Sequence, residues 1–268
     1  MGNRDKRINF VTMKTVIIGS GNVAEAMAKA VAESANELVA ILARNRERGE
    51  MIAEMCGCRH VEIGVELPTA DLYIISISDR AVEELAKELV FPAEAIVAHT
   101  AGGVSIDALG TIKNRAVLYP LQTFTKGRKI EFGRIPLFLE YTNQETGEKL
   151  KAFAQTLSDS VYEADSTLRS KMHVAAVFAC NFVNRMYGIG YELLSKESLP
   201  FDILKPLIEE TCAKALDSKN PASVQTGPAV RNDQNTMQKH LQYIEDDDTK
   251  TEIYKLISKD IWETSKKI

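Results

Sequence analysis

Between Thr15 and Leu139 the chain alternates short apolar runs with segments of helical period. Runs that are apolar throughout suit strands buried on both faces, which is the condition of a parallel sheet covered by helices. Predicted strands are Thr15 to Ile18, Leu38 to Ala43, Leu72 to Ser78, Ala95 to His99, Ala116 to Tyr119 and Pro136 to Glu140, with weaker candidates at Arg59 to Ile63 and Ser160 to Glu163. Helical patterns lie between them, among them Asn22 to Ser34 and Asp79 to Leu89, the second with Asp79 placed as an N-cap.

After Asp165 the strand signal stops. Ser166 to Lys196 reads as one long helix whose apolar residues, from Met172 through Met186, occupy most of its circumference. Such a helix has no wet face and must be covered on every side. Helical patterns at Phe201 to Lys219, Asn232 to Tyr243 and Asp247 to Lys267 supply part of that cover, and a second copy of the chain is expected to supply the rest. The predicted fold is therefore α/β, a Rossmann-type doubly wound and mainly parallel sheet, followed by an all-α C-terminal domain. The divisions are 1–12, a disordered extension ahead of Met13; 13–165, a dinucleotide-binding domain; and 166–268, a helical domain for substrate and dimerisation.

Charge and cysteine usage narrow the classes of partner. The net charge is -4, with Lys and Arg spread along 268 residues, so the basic stripe that nucleic acid requires is lacking. The longest apolar runs fall well short of the roughly 20 residues that cross a bilayer. Four cysteines, Cys56, Cys58, Cys180 and Cys212, and no Asn-x-Ser/Thr sequon suit a reducing cytoplasm. Cys56 and Cys58 with His60 lack the spacing and fourth ligand of a zinc site, so no metal is expected.

The first chemical motif follows the first strand directly. Gly19-Ser20-Gly21-Asn22-Val23-Ala24 has the form Gly-x-Gly-x-x-Ala and opens a helix. Gly19 permits the tight turn, Gly21 lets backbone approach a pyrophosphate, and Ala24 keeps helix and strand close, with the helix N-terminus facing phosphate charge. A plain βα turn is the other reading. The second strand ends in Ala43-Arg44-Asn45-Arg46, without the acid that would accept a ribose hydroxyl. Arg44 and Arg46 offer donors for a 2′-phosphate instead, so NADP(H) is the predicted cofactor, although arginines here can also be merely solvated.

Ligands of such sheets lie beyond the C-terminal strand ends. Ser76 and Ser78 follow one strand and His99-Thr100-Ala101-Gly102-Gly103 another, the glycines giving a ribose or nicotinamide room. Tyr119-Pro120-Leu121-Gln122-Thr123-Phe124 ends a third, with Gln122 and Thr123 as candidate pocket residues. In the long helix, His173 and Asn181 are polar groups in apolar surroundings, eight residues apart and hence on roughly one face. Thr226-Gly227-Pro228 interrupts the helices, with Arg231 and Asp233 close behind. Each of these has a bland alternative, a capped turn or a packed polar group.

Together, the Gly19 to Ala24 loop, His99 to Gly102, Tyr119 to Phe124, His173 through Asn181 and Thr226 to Asp233 resemble bacterial Rossmann-like NADP oxidoreductases with a C-terminal helical domain of unknown function. The resemblance runs from Met13 over nearly the whole chain. More remotely, the architecture is similar to pyrroline-5-carboxylate reductase and the deazaflavin-dependent NADP reductases, whose helical domain supplies a dimer interface. The wider 6-phosphogluconate dehydrogenase group carries Lys-x-x-x-Asn on its first long helix. Here Val177 stands four before Asn181, and Lys171 lies ten before it, which leaves His173 as the nearest substitute.

The resulting expectation is an NADPH-dependent reduction of a C=O or C=N bond in a small metabolite, at a site where the two domains join. His173 donates the proton, Asn181 orients substrate or nicotinamide, Arg231 clamps a carboxylate, and Thr226 and Gly227 line the pocket. The alternative is a non-catalytic NADP(H)-binding sensor or assembly protein.

Overall fold

A computed structural model describes residues 12–268. Residues 1–11, the bulk of the predicted extension, lie outside the described residues. Every predicted strand is present: β1 (Lys14–Ile18), β2 (Glu37–Leu42), β3 (Arg59–Val61), β4 (Leu72–Ile75), β5 (Ile96–His99), β6 (Asn114–Pro120), β7 (Leu137–Tyr141) and β8 (Val161–Glu163). They form one sheet in the order β3-β2-β1-β4-β5-β6-β7-β8. All neighbours are parallel except β6 and β7, which run antiparallel with Leu118 opposite Leu139.

Alternation along the strands sorts side chains into two cores. Ile17, Ile41, Ile74, Ala98 and Leu118 pack on one face with Met27 and Val31 of α1 (Asn22–Ala32) and Leu150 and Phe153 of α4 (Gln144–Gln155). Val16, Ile18, Leu42, Tyr73, Ile75 and Val97 pack on the other with Val82 and Leu85 of α3 (Val82–Glu88). Both β4 and β5 are buried at every position, which is why their sequences show no polar alternation. The remaining crossover helix, α2 (Arg46–Met55), starts at Asn45, whose side chain accepts from the Arg48 backbone at 2.9 Å.

Three local expectations need correction. β4 ends at Ile75 and not Ser78, because at Ser76 the chain turns against Gly19. Asp79 is not the N-cap of the next helix: Ser78 precedes a single 3-10 turn, Asp79–Ala81, without a side-chain capping bond, and α3 begins only at Val82. The long helix is not uninterrupted. Asp165 caps α5 (Ser166–Ala176) by accepting from the Leu168 backbone, a π-turn follows over Val177–Phe182, and α6 (Val183–Lys196) resumes.

The chain divides into two compact units, the first ending at Cys180 and the second running from Asn181. The first holds the sheet and α1 to α5. The second holds α6, α7 (Lys205–Asp217), α8 (Gln234–Tyr243, capped by Asp233) and α9 (Asp248–Ser265, capped by Asp247). Beyond Cys180 only Ala229 and Ile244 are buried.

Candidate functional site

Gly19 has φ of 134°, and a Cβ there would lie 2.1 Å from the Ser76 carbonyl oxygen, so only glycine allows β1 and β4 this close. Gly21 precedes α1 in extended conformation, and a Cβ on it would meet open space, which is the room a pyrophosphate needs. Ala24 is fully buried, and Val23 packs against the core. The Asn22 amide donates to the Phe124 carbonyl at 3.0 Å, tying the loop after β6 to the start of α1.

Around the second strand the arginines differ from one another. Arg44 is exposed and pairs with Glu88 at 3.2 Å; Arg46 is exposed and pairs with Glu50 at 2.8 Å. Such surface pairs contribute little, so both guanidiniums are free to exchange a carboxylate for a phosphate. Asn45 spends its side-chain oxygen on capping α2. Arg48, which the pattern does not single out, is the held one: its Nε donates to the Ser20 carbonyl at 3.2 Å and its Nη2 pairs with Glu25. It braces the glycine loop from α2.

Beyond β4 and β5 the buried Ser76 and Thr100 are linked, Thr100 Oγ1 donating to Ser76 Oγ at 3.2 Å, while Ser78 is exposed. His99 is fully buried, and its ring serves its own loop: Nδ1 accepts from the Ala101 backbone at 3.2 Å and Nε2 lies 3.3 Å from the Ser105 carbonyl. Burial, helped by the charge of Arg169, drops its pKa to about 4. The imidazole is thus a neutral brace that shapes residues 99–105.

The same loop is gripped by Arg169 of α5, which is wholly buried. Its guanidinium donates to the Val104 carbonyl at 3.1 Å, to Ser166 Oγ at 2.9 Å and to Glu140 of β7 at 2.6 Å. One turn further along α5 stands His173, exposed, with Nδ1 3.2 Å from the Tyr119 hydroxyl at the end of β6. Across the loop from it, the Cβ position that Gly103 lacks lies 4.0 Å from His173 Cδ2 and 3.9 Å from Asp79 Oδ2. A titratable cluster of Asp79, Tyr119, Arg169 and His173 thereby stands at the C-terminal ends of β4, β5 and β6.

The other predicted residues belong to the loop after β6 and to the second unit. Gln122 and Thr123 are exposed, the Gln122 side chain accepting from the Thr123 backbone at 2.8 Å. Asn181, Thr226 and Arg231 are exposed within the second unit, and Gly227 takes φ of 111° there. Cys56 and Cys58 are half-buried; burial pushes the Cys56 thiol up to about 11 and raises that of Cys58, which leaves both poor nucleophiles and ligands. Among the described residues no helix is long and apolar enough to cross a membrane.

A mainly parallel sheet with an open glycine cap at its first βα turn defines a dinucleotide-binding fold. Residues 14–102 match the family described as NADP oxidoreductase, coenzyme F420-dependent, and residues 135–261 match a domain of unknown function. The crystal structure of a "putative NADP oxidoreductase" from Bacteroides fragilis is 39% identical, covers 94% of this chain and 98% of its own, and superposes with a TM-score of 0.89. The chain belongs to this NADP oxidoreductase family. Two further structures share the fold: 1-pyrroline-5-carboxylate reductase of Streptococcus pyogenes (17% identity, 96% and 99% covered, TM-score 0.62), and the reductive aminase of Aspergillus terreus in complex with NADPH and ethyl levulinate (14%, 94% and 95%, 0.67). No curated protein sequence matches the chain.

Proposed function

We propose that this chain reduces a C=O or C=N bond of a small metabolite with NADPH. The observation that carries the reading is the proximity, on one end of one sheet, of an open glycine cradle and a cluster of acid, phenol and imidazole. Gly19 to Ala24 would hold the pyrophosphate, Arg44 and Arg46 the 2′-phosphate, and the loops carrying Ser76, Ser78, His99 and Thr100 the ribose and nicotinamide side. The nicotinamide supplies the hydride; the protein supplies placement and a proton. His173 is the proposed donor, being the exposed imidazole of the cluster. Asn181 and Arg231 are assigned to orienting the substrate and binding a carboxylate, with Gln122, Thr123, Thr226 and Gly227 as pocket residues.

The nucleotide preference gives the test. NADPH should bind more tightly than NADH in a fluorescence titration, and replacing Arg44 and Arg46 by Ala should cost on the order of 1 to 3 kcal/mol of NADPH affinity. Equal affinity of the unaltered protein for both nucleotides would refute the 2′-phosphate assignment. A screen for NADPH oxidation over keto acids and cyclic imines tests the reaction class.

A homodimer built on the helical unit is part of the same reading. With two buried residues beyond Cys180, and with Leu207 and Leu216 63% and 79% exposed, α6 to α9 lack the core that a folded layer needs. A groove of about 650 Å³ lined by Met186, Leu193, Ile253, Ile257 and Ile261 offers a second copy an apolar seat. The cytoplasm is the proposed compartment, since all four cysteines are unpaired.

A further inference from the structure

The pair formed by Tyr119 and His173 joins residues 54 apart in sequence, from the end of β6 and the last turn of α5. Its two members are unequal: Tyr119 is 8% exposed and His173 open to solvent. A substrate can reach the pair only through the imidazole. We propose that the two form a proton relay in which the phenol donates to Nδ1 and the imidazole presents its Nε2 hydrogen to the substrate heteroatom. This rests on the reductase reading and names the second member of its acid.

Three observations support this direction. First, a neutral imidazole has one N–H and one acceptor nitrogen, so a phenol donating to Nδ1 leaves the ring hydrogen on Nε2. Burial holds the Tyr119 phenol above its ordinary range, with Arg169 opposing and Asp79 adding to the effect, so the phenol keeps its proton and has it available to donate. Second, the ring carbon Cδ2, which is bonded to Nε2, lies 4.0 Å from the Cβ position that Gly103 leaves empty, so the ring stands beside the open side of that glycine. Third, Tyr119 is clamped. A Cβ on Gly102 would fall 2.6 Å from its Cζ and 2.9 Å from its hydroxyl, so the loop backbone lies directly on the phenol and holds its orientation.

The proton count closes. Reduction needs a hydride, from the nicotinamide, and one proton on the oxygen or nitrogen of the reduced bond. Nε2 gives that proton while Nδ1 takes the phenol's, so the imidazole is neutral before and after. The negative charge then rests on the phenolate, which faces the buried Arg169 guanidinium, and solvent returns the proton. The charged and titratable groups around the pair are Arg169 one turn earlier on α5, Asp79 across Gly103, and the phenol itself.

The relay makes a pH signature. It works with a neutral imidazole, whereas an isolated histidine must be protonated to act as acid and so weakens as pH rises. In the full-length protein, Tyr119→Phe should therefore lower NADPH oxidation by a larger factor at pH 8 than at pH 6, about tenfold or more at the higher pH, with KM for NADPH unchanged. The probes are pyruvate and 1-pyrroline. The second readout needs no turnover: in protein labelled with 15N-histidine, the His173 signals are identified by their loss in His173→Gln. In its neutral form His173 should show a bare Nδ1 that accepts a hydrogen bond, and Tyr119→Phe should move that Nδ1 resonance toward its free value. A proton on Nδ1, an Nδ1 signal unmoved by Tyr119→Phe, or equal losses at pH 6 and pH 8 would overturn the relay. Failure of both probes to oxidise NADPH counts against the reductase reading, whereas the NMR result speaks to the pair alone.

Discussion

Arg169 and Glu140 form an ion pair at 2.6 Å in which the arginine side chain is wholly buried and the glutamate partly so. The pair joins α5 to β7, and the same guanidinium holds the Ala101 and Val104 carbonyls of the loop beneath the candidate site. Taking the arginine away leaves the Glu140 carboxylate without its counterion, together with two carbonyls that lose their donor. Arg169→Met should lower unfolding free energy by about 3 to 5 kcal/mol in urea denaturation. Adding Glu140→Leu to it should recover part of that loss. Strict additivity of the two substitutions would show that they do not form one network.

Gly19→Ala tests the turn that begins the nucleotide cradle. The new Cβ meets a backbone carbonyl and not a flexible side-chain tip, and the φ of 134° is foreign to alanine. A loss of about 1 to 3 kcal/mol in stability is expected, with a parallel loss of NADPH binding. Thermal melting with and without nucleotide separates the two effects.

The buried His99 sets an acid limit. Its folded pKa of about 4 lies below the ordinary value of 6.5, so the unfolded chain binds the extra proton first as pH falls. Stability from this group is complete above about pH 6.5 and is lost progressively toward pH 4, by up to about 3 kcal/mol. In urea titrations at pH 7 and pH 4.5, His99→Gln should be less stable at the higher pH yet show a shallower decline. An unchanged slope would mean that other groups govern the acid transition.

The sparse core of the helical unit yields a mass prediction. Light scattering should give a dimer at micromolar concentration, as obligate interfaces of roughly 2,000 Å² or more imply. Leu207→Glu with Leu216→Glu should shift the mass toward monomer. A monomer in the unaltered protein would show that α6 to α9 persist without a partner.

The strands were legible because β4 and β5 are buried at every position and apolar but for His99, a pattern that two-sided burial explains. The glycine loop was legible because its context is local. The roles of single polar residues were not. Whether His99 turns to a ligand or to its own loop depends on where the Ala101 and Ser105 backbone groups point, and a sequence pattern does not carry that. Arg169, in the first turn of a helix, has the look of a solvated cation. Its burial follows from Glu140, 29 residues earlier on a different element. Arg48 stands two residues after Arg46, the second of the predicted phosphate ligands, yet its partners Ser20 and Glu25 lie more than twenty residues back. Cys180 and Asn181 fall inside a π-turn that periodicity at 3.6 residues does not reveal.

The bond from Asn22 to the Phe124 carbonyl spans 102 residues and closes over the first helix turn that a phosphate would meet. During synthesis, therefore, the glycine loop leaves the ribosome long before its far wall exists. At about 5 to 20 residues per second, the nascent chain waits on the order of 5 to 20 s between the two events. Until β6 has been made, the cradle has one side only, and nucleotide capture by the growing chain is a late event, coupled to completion of the sheet.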